Sequence, residues 1–259
     1  MIATIVSAQV GTKPAGASLS RSGAGASASP LLSSADNNRT RRTVRSVSLR
    51  GPAGRLEALL NDGAPTAPFA ALLCHPHPLG GGTMHNKVVY HAMKALNDPA
   101  WGLAFPVLRF NFRGTGLSEG AHDGQAESGD VLAALEWLEN EYHLPVIAAG
   151  FSFGAATVLR ACCVDRQPRN LRALIALGLP VQAQGRMYDY SFLKNAILPK
   201  LFISGDQDRF APAAQLKQIA GSAADPKSIV LLEGADHFFT GQLDLMQRAL
   251  SDWLKEQLS

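Results

Sequence analysis

Short apolar segments alternate with longer helix-like segments from about residue 43 to the end of the chain. The apolar runs predict buried strands at 70–74, 107–112, 146–150, 171–177, 201–204 and 229–232. The segments between and after them predict helices at 87–96, 129–142, 153–163, 212–220 and 243–258. Two further runs, 44–49 and 55–61, are joined by glycines and a proline and predict an opening hairpin. This alternation predicts an α/β fold, with a mostly parallel sheet covered by helices on both faces.

Residues 1–42 lack this periodicity. The stretch 11–34 is rich in Ser, Ala and Gly, which predicts a disordered tail. Residues 1–45 contain six basic residues and one acidic residue, a net charge of +5. The whole chain has a net charge of +3, so the remaining residues have a net charge of −2. The body is therefore not basic, and we expect no nucleic-acid partner. An organellar transit peptide, a start codon assigned too far upstream and an inert tail all fit this composition.

Length and composition predict one domain over residues 43–259. The chain has 259 residues, of which 46% are hydrophobic and 17% charged, enough for a single large core. No apolar run approaches the roughly 18 residues of a membrane-spanning helix, so we expect a soluble protein without a membrane partner. The three cysteines, two of them adjacent at Cys162 and Cys163, fit neither a disulfide framework nor a zinc site. This pattern favours a reducing, cytoplasmic location.

One pentapeptide predicts a catalytic nucleophile. Gly150-Phe151-Ser152-Phe153-Gly154 joins a predicted strand to a predicted helix, and a serine at such a tight corner presents its hydroxyl at the edge of the sheet. A second match, Gly116-Leu117-Ser118-Glu119-Gly120, is followed by a polar loop and not by a helix. We therefore interpret Ser118 as a loop residue and Ser152 as the nucleophile.

An acid and a base follow Ser152 in the chain. Asp206 and Asp208 come after the strand at 201–204, and His237 comes after the strand at 229–232. Ligands bind at the carboxyl ends of such strands. The order Ser, Asp, His is that of α/β-hydrolases, and His237 is the predicted base that takes the proton of Ser152.

From residue 43 to the C-terminus the chain resembles the α/β-hydrolase superfamily. Besides the pentapeptide at Ser152, three segments resemble a small bacterial branch of lidless serine carboxylesterases related to dienelactone hydrolases: Cys74-His75-Pro76-His77-Pro78, Met84-His85-Asn86-Lys87 and Phe110-Asn111-Phe112-Arg113-Gly114. Dienelactone hydrolases have a cysteine nucleophile, so the resemblance implies the reaction type and not a ring-lactone substrate. It also implies that Asp208 is the catalytic acid. Asp206 is the alternative candidate for that role, and if it is not the acid it is expected to cap or turn the loop.

The oxyanion of an acyl-transfer intermediate needs two backbone N–H donors. Phe153, directly after the nucleophile, is the first predicted donor. The second comes from the loop after residue 74, where the two prolines have no N–H group, so His77 is expected and Leu79 is the alternative. The side chains of His75 and His77 lack an accompanying carboxylate or cysteine cluster, and we predict neither a metal nor a cofactor.

Residues 178–199, where larger relatives insert a lid, are enough for a loop and one short helix, which predicts an open cleft for small soluble substrates. The residues expected to line it are Phe151, Met187, Tyr188 and His85, with Phe153 beside them. The predicted function is hydrolysis of carboxylic esters or thioesters through an acyl-enzyme. Two alternatives stay open: a non-catalytic scaffold that binds a partner, and an acyltransferase or peptidase with the same triad.

Overall fold

The computed structural model describes residues 43–183 and 185–258. The predicted disordered tail lies outside these residues. The strands are β1 Val44–Gly51, β2 Gly54–Asn61, β3 Ala70–Cys74, β4 Val107–Phe110, β5 Val146–Phe151, β6 Leu171–Leu177, β7 Gln182–Ala183, β8 Arg186–Met187, β9 Lys200–Gly205 and β10 Lys227–Leu232. The α-helices are α1 Lys87–Asn97, α2 Glu127–Tyr142, α3 Phe153–Arg160, α4 Ala213–Ser222 and α5 Leu243–Leu258.

Eight strands form one sheet in the order β1-β2-β4-β3-β5-β6-β9-β10. The pairs β1–β2 and β2–β4 are antiparallel, and all later neighbours are parallel. The predicted opening hairpin and mostly parallel α/β sheet are therefore confirmed. Because Cys74 at the end of β3 is paired with Gly150 near the end of β5, the loops that follow these two strands start at the same level of the sheet.

Two apolar clusters cover the two faces of the sheet. Helices α1 and α5 pack together on one face, around residues such as Val89, Phe151 and Leu250. Helices α2, α3 and α4 contribute to the cluster on the other face, which includes Leu135 and Leu159. Burial on both faces explains why the central strands are almost continuously apolar in sequence.

Several elements differ from their predicted bounds by one to three residues, and three elements differ in ways that the structure explains or qualifies. β4 ends at Phe110, two residues early, because the N–H of Phe112 donates to the ring of His75 and not to a neighbouring strand. α3 ends at Arg160 and continues as one π-helical segment, Ala161–Asp165. β10 is mostly half-buried because it lies at the edge of the sheet, whereas the apolar run predicted a buried strand.

The segment between β6 and β9 replaces a lid with a compact turn structure. β7 and β8 form a small antiparallel hairpin, which the sequence did not predict, and a 3-10 helix follows at Ser191–Asn195. The hydroxyl of Tyr190 donates to the carbonyl of Pro180 at 2.6 Å and ties the segment to the end of β6. Among the described residues, no helix has the length and apolar character needed to cross a membrane.

Candidate active site

Ser152 lies at a sharp corner between β5 and α3. Its backbone has φ 54° and ψ −121°, a region that residues other than glycine seldom adopt. Its N–H donates to Leu177 in the adjacent strand β6 at 2.9 Å, and its carbonyl accepts from Ala155 and Ala156 at the start of the helix. Gly154 allows α3 to approach β3, since a Cβ there would lie 2.5 Å from the carbonyl oxygen of His75. The corner holds the Ser152 hydroxyl at the carboxyl edge of the sheet.

Ser152, His237 and Asp208 form a hydrogen-bonded series, although they are far apart in sequence. The Nε2 atom of His237 lies 3.0 Å from the Oγ atom of Ser152. Its Nδ1 atom lies 2.7 Å from the Oδ2 atom of Asp208. With Asp208 as acceptor, Nδ1 carries the proton and Nε2 is free to accept the serine proton. The arrangement can therefore activate a serine for nucleophilic attack.

The turn after β9 distinguishes the two candidate aspartates. The Oδ1 atom of Asp208 accepts from the N–H groups of Phe210 and Ala211 at 2.8 and 3.2 Å, and Ser204 donates to its Oδ2 at 3.1 Å. Asp206 instead accepts from the N–H of Gly234 at 2.8 Å and joins two loops. Asp208, and not Asp206, thus lies against His237.

Aromatic rings fix the imidazole of His237. The rings of Phe151 and Phe210 lie 5.0 and 4.7 Å from it, measured between centroids. Gly178 makes room at this place, because a Cβ on it would lie 3.2 Å from an imidazole carbon. Phe151 is fully buried behind the histidine. The expectation that Phe151 lines the cleft is therefore wrong, because every residue of β5 is buried in the sheet.

Two backbone N–H groups at the cleft have no acceptor among the described residues, those of Phe153 and His77. Phe153 is the first residue of α3, so its N–H has no partner within the helix. The N–H of Leu79 donates to the Nδ1 atom of His77 at 3.2 Å, and the Leu79 side chain is exposed. Of the two alternatives in this loop, only His77 keeps a free donor.

His75 fixes the loop that carries His77. The ring is fully buried; Nδ1 lies 2.6 Å from the carbonyl oxygen of Pro76, and Nε2 accepts from the N–H of Phe112 at 3.0 Å. Burial lowers the pKa of His75 to about 4. Both ring nitrogens are thus used within the protein by a neutral imidazole.

Comparisons with known proteins show which family the chain resembles in sequence and fold. The family described as "Alpha/beta hydrolase domain" matches residues 72–253. An uncharacterized protein of Rickettsia prowazekii is 36% identical over 80% of this chain and 87% of its own length. The structure of an alpha-beta serine hydrolase homologue from Coxiella burnetii superposes with a TM-score of 0.72 and 35% identity, covering 81% of this chain and 97% of the other. The chain belongs to the α/β-hydrolase family.

A second solved structure extends the likeness to the missing lid. It is described as a serine hydrolase without lid from Xanthomonas campestris, and it is 30% identical with a TM-score of 0.70, covering 82% of this chain and 94% of the other. The short segment between β6 and β9 agrees with this description. The protein is a small lidless α/β-hydrolase.

Ser152 lines a small cleft beside a larger cavity. The cleft has a volume of about 170 Å³ and is also lined by His77, Tyr188 and His237. The larger cavity, of about 520 Å³, shares Phe153 and Tyr188 with the cleft and includes Met187.

His85, which was expected at the cleft, is exposed and lines neither space, whereas its neighbour Asn86 does line the cleft. The Oδ1 atom of Asn86 accepts from the N–H groups of Val88 and Val89 and caps α1.

Two features of the site were not predicted. The first is Ser204, which lies within the buried strand β9 and donates to Asp208. Only its position four residues before Asp208 could have indicated this hydrogen bond. His122 had no recognisable pattern, yet its ring lies 4.7 Å from that of His77 and 5.4 Å from that of Phe153. Its Nδ1 atom is 2.6 Å from the buried carboxylate of Glu127. Burial, together with the charges of His122 and Arg186, lowers the pKa of His77.

Proposed function

We propose that this protein is a serine hydrolase that cleaves carboxylic ester or thioester bonds of small substrates through an acyl-enzyme intermediate. The observation that carries the proposal is the series of hydrogen bonds from Ser152 through His237 to Asp208. Serine is a weak nucleophile unless an adjacent base accepts its proton. The series supplies that base together with the acid that orients it.

In the first half-reaction the Oγ atom of Ser152 attacks the substrate carbonyl while its proton passes to Nε2 of His237. The carbonyl oxygen becomes an oxyanion, which accepts hydrogen bonds from the N–H groups of Phe153 and His77. Asp208 stabilises the imidazolium. The intermediate collapses as the bond to the leaving group breaks, and the Nε2 proton moves to the departing oxygen or sulfur. An ester of Ser152 is left.

In the second half-reaction water replaces the leaving group. His237 accepts a proton from the water, whose oxygen attacks the acyl carbon, and the same two N–H groups bind the second oxyanion. The carboxylic acid is released when the bond to Oγ breaks and His237 returns a proton to Ser152. The cycle consumes one water and needs no cofactor.

The size of the cleft supports small substrates. Its volume of about 170 Å³ is well below the range of about 300–1,000 Å³ found for sites that enclose drug-sized ligands. The hairpin of β7 and β8 is too short to cover a long acyl chain. The larger cavity beside the cleft has polar and charged residues such as Gln125, Arg186 and Asp189 in its wall, so the extra carbons of a long acyl chain would gain little binding there. We therefore expect short-chain esters to react faster than C12 or longer esters, without activation by micelles.

Fluorophosphonate labelling and hydrolysis of p-nitrophenyl butyrate test the proposal. Wild-type protein should be labelled at Ser152 and should turn over the ester. Ser152→Ala should lose the label and lower turnover by several orders of magnitude, as deletion of a nucleophile commonly does. Ser118→Ala is the matched control from the second pentapeptide and should keep both activities. Labelling that persists in Ser152→Ala, or an unlabelled and inactive wild type, would contradict the proposal.

A further inference from the structure

The larger cavity, of about 520 Å³, continues the catalytic cleft on one side of Ser152. The two spaces share Phe153 and Tyr188. Since the N–H of Phe153 is one of the proposed oxyanion donors, a substrate carbonyl bound there would lie at the entrance to this cavity. The volume exceeds what a short acyl chain needs, so the cavity can hold a further group attached to that chain.

A positioned guanidinium group lies in the wall of this cavity. Nη1 of Arg186 donates to the carbonyl of Gly124 at 2.6 Å. A Cβ on Gly124, whose φ is +78°, would lie 2.6 Å from Nη1 and 2.9 Å from Nη2, so the guanidinium rests directly on this glycine. Gly124 and Arg186 both line the cavity. Within residues 43–183 and 185–258, no carboxylate lies within 4 Å of the Arg186 guanidinium.

The other charged side chains around the cavity have hydrogen-bond or ionic contacts within the protein. Asp189 accepts from the N–H and hydroxyl of Ser191 at 2.8 and 3.0 Å. Arg160 is exposed and lies 4.0 Å from Asp165. The carboxylate of Glu127, in the first turn of α2, contacts His122 at 2.6 Å.

Asp130, in the same turn, is held by Arg113 at 2.7 Å. Arg186 is therefore a charged group of this cavity wall whose guanidinium has no carboxylate partner among the described residues.

A second polar group in the wall also lacks a partner. Ser128 lines the cavity from the first turn of α2, and its buried Oγ atom has no hydrogen-bond partner among the described residues. Buried hydroxyl groups are usually hydrogen-bonded. An unpaired hydroxyl and an unpaired guanidinium in one wall are the donors that a bound carboxylate would use.

The direction of catalysis assigns this cavity to the acyl group. The leaving group must receive its proton from Nε2 of His237, so it departs on the side of that residue. That side is bordered by Phe210 and Phe238, whose rings lie 4.7 and 5.2 Å from the imidazole. His237 does not line the larger cavity. The acyl chain, opposite the leaving group, then points into the larger cavity.

Resting on the proposed hydrolase activity, we propose that this enzyme prefers acyl groups that carry their own carboxylate, and that Arg186 binds this carboxylate in the larger cavity. The substrates of this class are half-esters or half-thioesters of short dicarboxylic acids. The guanidinium fork can donate hydrogen bonds to both oxygens of a carboxylate at once. Arg186 is in this reaction a specificity residue and takes no part in bond breaking.

The test compares p-nitrophenyl hydrogen glutarate with its uncharged methyl ester at neutral pH. Wild type should show a higher kcat/KM for the charged substrate. Arg186→Gln should lower that value by about 10- to 100-fold, the range for losing a hydrogen bond to a charged group, and leave the methyl ester unchanged. Arg186→Lys should keep part of the preference. Ser128→Ala should lower kcat/KM for the charged substrate only, and by less.

Arg209→Gln is the matched control, because Arg209 lies over the ring of Phe210 and near Arg186 but does not line the larger cavity. It should leave the preference for the charged acyl group intact. Equal rates on both substrates in wild type would overturn the inference. So would an equal loss on both substrates in Arg186→Gln, or a preference that depends on Arg209.

A binding measurement separates this inference from the proposed function. The Kd of monomethyl glutarate is measured by titration calorimetry with the inactive variant Ser152→Ala. In Ser152→Ala/Arg186→Gln this Kd should be at least about 10-fold higher. If neither ester is turned over but binding depends on Arg186, the hydrolase proposal is refuted and the anion site remains supported. Turnover of the neutral ester without Arg186-dependent binding would refute the anion site alone.

Discussion

The chain contains two Gly-x-Ser-x-Gly pentapeptides, and their serines have opposite surroundings. Ser152 is partly exposed, has a positive φ and contacts a histidine through its hydroxyl. Ser118 is buried, and its hydroxyl is hydrogen-bonded to the backbone. It accepts from the N–H of Glu57 at 2.9 Å and donates to the carbonyl of Asn111 at 2.6 Å. One hydroxyl is available to a substrate and the other holds a loop against β2.

The glycines of the two pentapeptides also have different purposes. Gly154 permits a close approach between helix and strand, whereas Gly116, with φ +56°, lets the chain reverse in a turn. The side chain of Glu57 reinforces that turn by accepting from the N–H of Leu117 at 2.8 Å. The same five-residue pattern thus supports a nucleophile or a structural turn, depending on whether a helix follows.

The largest expected effect comes from the acid that orients His237. Asp208→Asn should lower turnover by about 10⁴-fold, because an amide cannot fix the tautomer of the histidine or stabilise its cation. Steady-state kinetics with p-nitrophenyl butyrate would measure this. Fluorophosphonate labelling should slow in parallel.

Asp206→Asn is the matched control in the same turn. Its amide oxygen can still accept from Gly234, so turnover should change little. A larger loss in Asp206→Asn than in Asp208→Asn would contradict the assignment of the acid, and with it the difference between the Ser152 and Ser118 regions.

The fold could be predicted from the sequence because buried parallel strands have a distinctive composition. β3, β5 and β6 are buried on both faces, and their short apolar runs identified them within a residue at most at either end. The hairpin of β7 and β8 could not be predicted, since each strand has two residues and no period can be read from two positions. The apolar run predicted the strand β10. Its partial exposure could not be predicted, because it depends on the position of β10 at the edge of the sheet.

The candidate site could be predicted only where chain order carries information. Ser152, Asp208 and His237 each follow a strand, and loops after parallel strands meet at one edge of the sheet. His122 and Glu127 lie in a loop and a helix start with no such rule. Their position beside His77 depends on how the polar loop after β4 folds back. Arg186 belongs to the same class, because its contact with Gly124 joins β8 to a loop that is distant in sequence.

A smaller effect is expected from His75, which joins the Ser152 region to the loop that leads to Ser118. A histidine of the unfolded chain takes up a proton below about pH 6.5, while folded His75 stays neutral until about pH 4. Its contribution to stability is therefore complete above pH 6.5 and is lost as the pH falls toward 4. The loss amounts to about 3 kcal/mol.

Urea unfolding at several pH values would measure the loss. His75→Gln keeps an acceptor for the N–H of Phe112 but cannot titrate. Its unfolding free energy should fall less between pH 6.5 and 4 than that of the wild type. Parallel pH profiles of the two proteins would show that His75 is not the group responsible.

The smallest effect is expected from Ser118, and it separates the two pentapeptides by stability and not by activity. Ser118→Ala leaves the N–H of Glu57 and the carbonyl of Asn111 without their buried partner, which should lower the unfolding free energy by about 1–3 kcal/mol. Ser152→Ala removes a partly exposed hydroxyl with one hydrogen bond and should lower it less. Chemical denaturation of both variants gives these values, and kcat/KM per folded molecule should stay near wild type in Ser118→Ala. Equal destabilisation by the two substitutions would mean that the Ser118 hydroxyl does not hold its loop.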